Sequence, residues 1–252
     1  MRFTYPDGQV VAVNCPDREA LLSGVAARMA ANQGYALATL NVDHLEQLER
    51  DEAFRRAYAA HDLICADGNP VVWLSRLAGQ PVELVPGSEL VHPLAELAAR
   101  HEAPVALIGG SETSLQLAAA RLAEMHPGLE VVMQAVPGFP FDPESSEAAR
   151  LIGQIANSGA QLCLLGLGAP RQERFAIRAR DALPGVGFAS IGAGIDFISG
   201  QQQRAPTVMR QIKMEWLWRM LSNPRRLAAR YGRGFLILPG HLRRALAQRG
   251  KG

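Results

Sequence analysis

Apolar residues recur along this chain with two alternating periods. Phe3 to Val13 alternates with a period of two and breaks at Pro6-Asp7-Gly8, which predicts an opening hairpin. Behind Asp17, the residues Ala20, Leu21, Val25 and Met29 follow helical spacing, with Gly34 as the expected stop. A strand follows over 36–40 and ends at Asn41. A helix over 45–60 carries Leu45, Leu48 and Phe54 as core, and a strand over 62–66 runs into Asp67-Gly68-Asn69-Pro70. Pro70 suits the first turn of a helix over 71–77. The alternation continues with a helix from Pro86-Gly87-Ser88 to Arg100 and a strand over 104–108 ending in Gly109-Gly110-Ser111. Ser111 caps a helix over 115–125, and a strand over 129–133 leads to Pro137-Gly138-Phe139. A helix over 145–156 precedes a strand over 161–165, which opens into Gly166-Leu167-Gly168-Ala169-Pro170. A helix over 171–180 and a strand over 187–191, ending in Gly192-Ala193-Gly194, complete the series. Strands alternating with helices are βαβ units. The expected fold is α/β, a Rossmann-like and largely parallel sheet flanked by helices.

Charge divides the chain where this pattern stops. From Gln201 onward there are twelve Lys/Arg and one acid, Glu215, so an acidic body of net −9 carries a basic segment of net +11. We therefore expect a catalytic α/β domain over 1–200 and a basic C-terminal appendage over 201–252. The appendage also carries Val208, Met209, Ile212, Met214, Trp216, Leu217, Trp218, Met220 and Leu221, then an apolar run over 235–238. Basic and aromatic residues together suit an amphipathic helix lying on an anionic membrane or gripping a phosphate-bearing lipid. A helix packed on the body with a solvated Arg face is the plainer alternative. No stretch approaches the ~20 consecutive apolar residues of a spanning helix. The N-terminus has no continuous apolar region, so no signal peptide is expected. Cys15, Cys65 and Cys163 are scattered without a CxxC. They indicate neither a disulfide nor a zinc framework; Cys65 and Cys163, inside apolar runs, read as core residues, and a reducing cytoplasm fits.

In open α/β sheets ligands bind beyond the carboxyl ends of the strands. Gly109-Gly110-Ser111 and Gly166-Leu167-Gly168 each lead into a helix N-terminus, where free N–H groups suit a phosphate. Each alone is equally a tight turn. Together with Gly192 and Gly194 they point to a nucleotide or nucleotide-sugar site. Neither GxGxxG nor GxxxxGK[ST] is present, which counts against a dinucleotide oxidoreductase and a P-loop. Asp67 and Asn41 also fall at strand ends. Asp67 is either a general base or the cap of the next helix. Asp196, within an apolar stretch, needs a partner such as an arginine of the appendage, or serves a ligand. Glu173 favours a helix dipole. The six histidines show no metal-ligand spacing and no DxD occurs, so no metal and no cofactor are expected. Arginines must then neutralise a phosphate leaving group.

Several of these segments form a joint pattern. They are Leu40-Asn41; Ala66-Asp67-Gly68 with Val72-Trp73; Pro86-Gly87-Ser88-Glu89-Leu90; and Ile108-Gly109-Gly110. Gly166-Leu167-Gly168-Ala169-Pro170-Arg171-Gln172-Glu173 and Gly192-Ala193-Gly194-Ile195-Asp196-Phe197 follow. Gly200 with Arg204-Ala205-Pro206, Glu215-Trp216-Leu217-Trp218-Arg219, Pro224-Arg225-Arg226 and Arg230-Tyr231 complete it. The sequence closely resembles the WecG/TagA/CpsF glycosyltransferases, family 26, over about 10–238. The resemblance implies a metal-independent, inverting transferase at the cytoplasmic face of the inner membrane. It would move glucose, N-acetylmannosamine or its uronic acid from a UDP-sugar to a saccharide on a polyprenyl diphosphate. Asp67 would be the base, with Thr39 and Asn41 in its pocket. Gln172 and Asp196 match family positions, and with Gly109, Gly110, Ser111, Phe139, Gly166, Gly168, Gly192 and Gly194 they form the expected nucleotide-sugar site. Arg204, Arg219, Arg225, Arg226 and Arg230 would bind diphosphate or lipid while the appendage covers the site. Expected partners are the UDP-sugar, the lipid-linked saccharide and an anionic membrane, with no nucleic acid; a homo-oligomer is left open. The chain departs from the family pattern at Asn69-Pro70 beside the expected base, at Gly194-Ile195-Asp196, and at Ile212-Lys213-Met214 before Glu215-Trp216. The alternative is a nucleotide- or nucleic-acid-binding protein without catalysis, whose basic segment grips phosphates.

Overall fold

A computed structural model describes residues 1–202 and 224–249. The chain opens with the hairpin β1 (Arg2–Thr4) and β2 (Val10–Ala12), turned at Gly8. α1 (Arg18–Ala30) starts where the Asp17 side chain accepts from the Ala20 N–H at 2.7 Å. Gly34 was the expected stop, but Asn32 takes the left-handed turn at φ +51. Gly34 instead opens the first core strand, where a Cβ would lie 2.7 Å from the carbonyl oxygens of Pro184 and Val186.

That strand is β3 (Tyr35–Leu40), buried throughout. The single helix expected over 45–60 is two, α2 (Val42–Arg50) and α3 (Glu52–Ala59). Asp51 takes extended backbone between them and accepts from the Phe54 N–H at 2.9 Å, capping the second helix. β4 (Leu63–Ala66) and α4 (Asn69–Leu77) follow. The helix expected to start at Ser88 begins as a 3-10 turn, Gly87–Glu89, and becomes α5 (Val91–Arg100) without a side-chain cap. β5 (Val105–Gly109), α6 (Glu112–Met125), β6 (Val131–Ala135), α7 (Ser146–Ser158), β7 (Leu162–Gly166), α8 (Arg171–Ala182) and β8 (Gly187–Ser190) match the expected order. The apolar residues after β8 close into a short helix, α9 (Gly194–Ser199).

Among the described residues six strands form one sheet in the order β4-β3-β8-β7-β5-β6, every neighbouring pair parallel. This is the α/β, Rossmann-like architecture expected. Leu37, Cys65, Leu107, Leu164 and Ala189 point to one face, against α1, α5, α6 and α9. Ala36, Ala38, Ala106, Ile108, Leu165 and Phe188 point to the other, under α2, α3, α4, α7 and α8. Parallel strands covered on both faces read as continuous apolar runs, as here. Cys15, Cys65 and Cys163 are free and buried.

α10 (Pro224–Arg249) lies along α2 and α4 on the second face. Ala245 is fully buried with Phe3, Leu45 and Leu74 in its cluster, and Ile237 and Leu238 pack against it. Arg244 donates to Glu49 at 2.6 Å. Leu236 and Leu246 stay exposed on the outer side of the helix. No helix among the described residues is long and apolar enough to cross a membrane.

Candidate active site

Parallel pairing brings the carboxyl ends of all six strands to one edge of the sheet. There the chain leaves β4 at Asp67, whose N–H donates to Leu40 O at 2.7 Å across β3. Two roles were open for Asp67. The cap position of α4 belongs to Gly68, at φ +115, which has no side chain to cap with. The Asp67 carboxylate turns instead to the end of β3, where Oδ2 accepts from Thr39 Oγ1 at 3.4 Å. Thr39 is buried and roofed by the 86–89 turn: a Cβ at Gly87 would stand 2.9 Å from Thr39 Oγ1. Asn41 is the cap of α2. Its Oδ1 accepts from the His44 N–H at 3.0 Å and starts α2.

The glycine-rich strand ends divide into two kinds. Gly109 and Gly166 touch each other through backbone: a Cβ on Gly109 would come to 2.5 Å from Gly166 O. A Cβ on Gly166 would meet Gly192 O at 3.1 Å, and one on Gly194 would meet Val91 Cγ2 at 2.7 Å. These glycines let β5, β7, β8 and α5 approach. Gly110, Gly168 and Gly192 have positive φ and stand further from backbone; nothing among the described residues lies within 4 Å of a Cβ on Gly192. After β5 the chain turns to α6 on one face, and after β7 to α8 on the other. Such divergence opens the sheet edge to a ligand. Ser111 caps α6, its Oγ accepting from the Ser114 N–H at 3.1 Å.

Asp196 was expected to pair with an arginine or a ligand. Its Oδ1 accepts from Ser114 Oγ at 2.9 Å, and its Oδ2 from Gln202 Nε2 at 3.1 Å. Ser111 Oγ donates to Gln201 Oε1 at 3.4 Å, so the residues that begin the basic segment are tied to the α6 N-terminus. Phe139 projects from the surface at 88% exposure, with the Arg171 guanidinium 5.0 Å over its ring.

Beneath the edge lies a buried polar set. Gln172 faces inward, its Oε1 accepting from the Gly168 N–H at 3.2 Å and its Nε2 donating to Glu173 Oε1 at 2.8 Å. Glu173 is fully buried, so it does more than decorate a helix dipole. His44 Nε2 lies 3.9 Å from Glu173 Oε1, and His44 Nδ1 lies 3.1 Å from the Tyr58 hydroxyl. Burial, then the charges of Glu173, Cys65 and Asp67, push the Tyr58 hydroxyl well above its ordinary pKa, so it keeps its proton.

A family model described as the Glycosyl transferase WecG/TagA/CpsF family matches residues 9–252. The chain belongs to that family. The match runs through the α/β body and on through the basic C-terminal segment, so both are parts of one glycosyl transferase. Within this transferase the structure brings Thr39, Asn41 and Asp67 together at the ends of β3 and β4. It sets Gly109, Gly110, Ser111, Gly166, Gly168, Gln172, Gly192, Gly194 and Asp196 along the ends of β5, β7 and β8. Phe139 stands beyond the end of β6. Arg204 and Arg219, with Trp216 and Trp218, lie outside the described residues. Arg225, Arg226 and Arg230 fall in the first two turns of α10. Sequence reasoning passed over His44, Tyr58 and Ser114. One signal for His44 was available: it stands at the third position after Asn41, the place a capping side chain addresses.

Proposed function

We propose that this transferase moves a sugar from a UDP-sugar to a saccharide on a polyprenyl diphosphate, with inversion and without a divalent metal. Glucose, N-acetylmannosamine and its uronic acid are the donors in this reading. The observation that carries it is the Asp67 carboxylate beside Thr39 Oγ1, on the same sheet edge as the glycine ends of β5, β7 and β8. Asp67 takes the proton of the acceptor hydroxyl as its oxygen attacks the anomeric carbon. The bond to the diphosphate breaks on the opposite face, and UDP leaves with the electron pair. The N-terminus of α6 and the loop after β7 offer N–H groups to the nucleotide phosphates. Arg204, Arg219, Arg225, Arg226 and Arg230 offset the charge on the leaving or lipid diphosphate.

In this reading residues 1–200 form the catalytic unit. Residues 201–252 close it and hold it, as a peripheral protein, on the anionic cytoplasmic face of the inner membrane during surface-polysaccharide synthesis. Closure at the membrane would limit loss of donor to water. The test is a panel of UDP-sugars with short-chain polyprenyl-diphosphate saccharides in EDTA, following UDP release and the mass of the lipid. Transfer from one donor that survives EDTA is the expected result. Turnover restored only by added divalent ion overturns the metal-free scheme. RNA binding with no UDP binding favours a nucleic-acid-binding role instead.

A further inference from the structure

The proposed reaction leaves the buried set behind the sheet edge without a task. Its geometry is a chain of contacts between the two halves of the site. Asn41 sits at the end of β3 with its Oδ1 committed to the His44 N–H, so its Nδ2 is the end that faces His44 Nε2, at 3.4 Å. The His44 ring is held edge-on by Phe54 and Tyr58, with centroids at 5.9 and 5.7 Å. Nε2 therefore faces an amide donor on one side and the Glu173 carboxylate on the other, and a single nitrogen serves one of them at a time. Glu173 in turn receives the Gln172 amide, which fixes Gln172 Oε1 on the Gly168 N–H. The line Asn41–His44–Glu173–Gln172–Gly168 thus joins the β3 end, beside Asp67, to the loop after β7. A carboxylate and an imidazole this deeply buried are costly to keep for packing alone, because apolar side chains would fill the same volume without desolvation.

We propose that His44 and Glu173 are positioning residues for the transfer, holding Asn41 at a fixed separation from the Gly166–Pro170 loop. The proposal rests on the reading above, in which Asp67 marks the acceptor side and the β7 loop the donor side. Neither residue touches substrate in this scheme. The charge on Glu173 decides which neighbour His44 Nε2 addresses, and so where the Asn41 amide stands.

Two variants keep the packing. Glu173→Gln is isosteric and still accepts from Gln172. His44→Phe keeps a ring against Phe54 and Tyr58 and removes both nitrogens. For each, kcat and donor KM are measured per UDP-binding site, so that unfolded protein does not count. Loss of positioning lowers kcat by up to about 100-fold, as expected for reacting groups displaced by a fraction of an ångström to one ångström, while UDP affinity is kept. A purely structural role would lower melting temperature and the number of sites but leave kcat per site at the parent value, which overturns the proposal. A second readout does not need the reaction: the NMR signals of the Asn41 side-chain amide and the Gly168 N–H in Glu173→Gln. Both signals shift if the line is coupled; an unmoved Asn41 amide overturns the coupling. Absence of transfer by the parent protein would instead sink the reading of function, with the NMR arm still deciding the coupling. Should His44→Phe fail to fold, Glu173→Gln decides alone.

Discussion

Gly109→Ala separates two reasons for a glycine at a strand end: clearance for a nucleotide, or clearance for the neighbouring strand. Gly109 has φ +108, where an L side chain is strained by roughly 1–3 kcal/mol. Its new Cβ would stand 2.5 Å from Gly166 O and 2.6 Å from the carbonyl carbon. Both are backbone atoms of paired strands in the interior of the sheet and cannot rotate aside, so β5 and β7 must part. Overpacking of this kind costs roughly 1–3 kcal/mol more. The sum is about 2–6 kcal/mol, a large share of the roughly 5–15 kcal/mol that holds a domain together. At roughly 2–4 °C per kcal/mol for a chain of this size, melting should fall by about 5–20 °C. Gly192→Ala is the control. Its φ is +58, but nothing among the described residues lies within 4 Å of the added Cβ, so the left-handed penalty of about 1–2 kcal/mol is what they impose. Thermal unfolding followed by circular dichroism, with UDP titration of both variants, is the assay. A Gly109→Ala protein that melts with the parent yet loses UDP would refute the packing argument and return Gly109 to the ligand.

Asp67→Asn keeps shape and hydrogen bonding but cannot take a proton; transfer should fall by about 10²–10⁴-fold with UDP affinity unchanged, and full activity would remove the base assignment. Burial lowers the His61 pKa from 6.5 to about 4. The unfolded chain then binds more protons between these values, so stability rises with pH across that window. It is lost as pH falls from 6.5 to 4, by about 3 kcal/mol at most. Urea midpoints measured from pH 7 to pH 4 should show this slope, and His61→Gln should flatten it; an equal slope in the variant would sink the assignment. Glu49→Gln removes the charge from Arg244, about half exposed, while its amide oxygen can still face the buried His241 at 3.3 Å; the Arg244 pair is worth about 0–1 kcal/mol, so the docking of α10 should change little. Ala245→Asp places a charge in a fully buried position and should detach the end of α10, seen as rapid proteolytic cutting near Arg249. Equal cutting of the two variants would contradict an apolar anchor.

What the sequence determined by itself was local. Alternation and helical spacing marked the elements because each must turn an apolar face inward, and Asp17 and Ser111 marked helix starts because a cap acts within three residues. The placing of Asp67, Gly109, Gly166 and Gly192 at strand ends followed from the same pattern, and a parallel sheet gathers such ends on one edge. Two expectations failed, one to a neighbour distant in sequence and one to a cap three residues away. Gly34 answers to the carbonyls of Pro184 and Val186, not to the helix before it. The break at Asp51 splits one expected helix because its side chain captures the Phe54 N–H. Strand order was a tertiary decision. Periodicity records which face of a strand is apolar, not which strand lies beside it, so nothing local announces that β8, the last strand among the described residues, inserts between β3 and β7. That insertion carries Ile191 and Gly192 between the Thr39 end and the Gly166 end. His44 and Glu173 are separated by most of the sheet's connections and meet only because α2, α3 and α8 cover the same face. Each looks ordinary in its own stretch of chain. Only the folded chain brings them within 3.9 Å of each other.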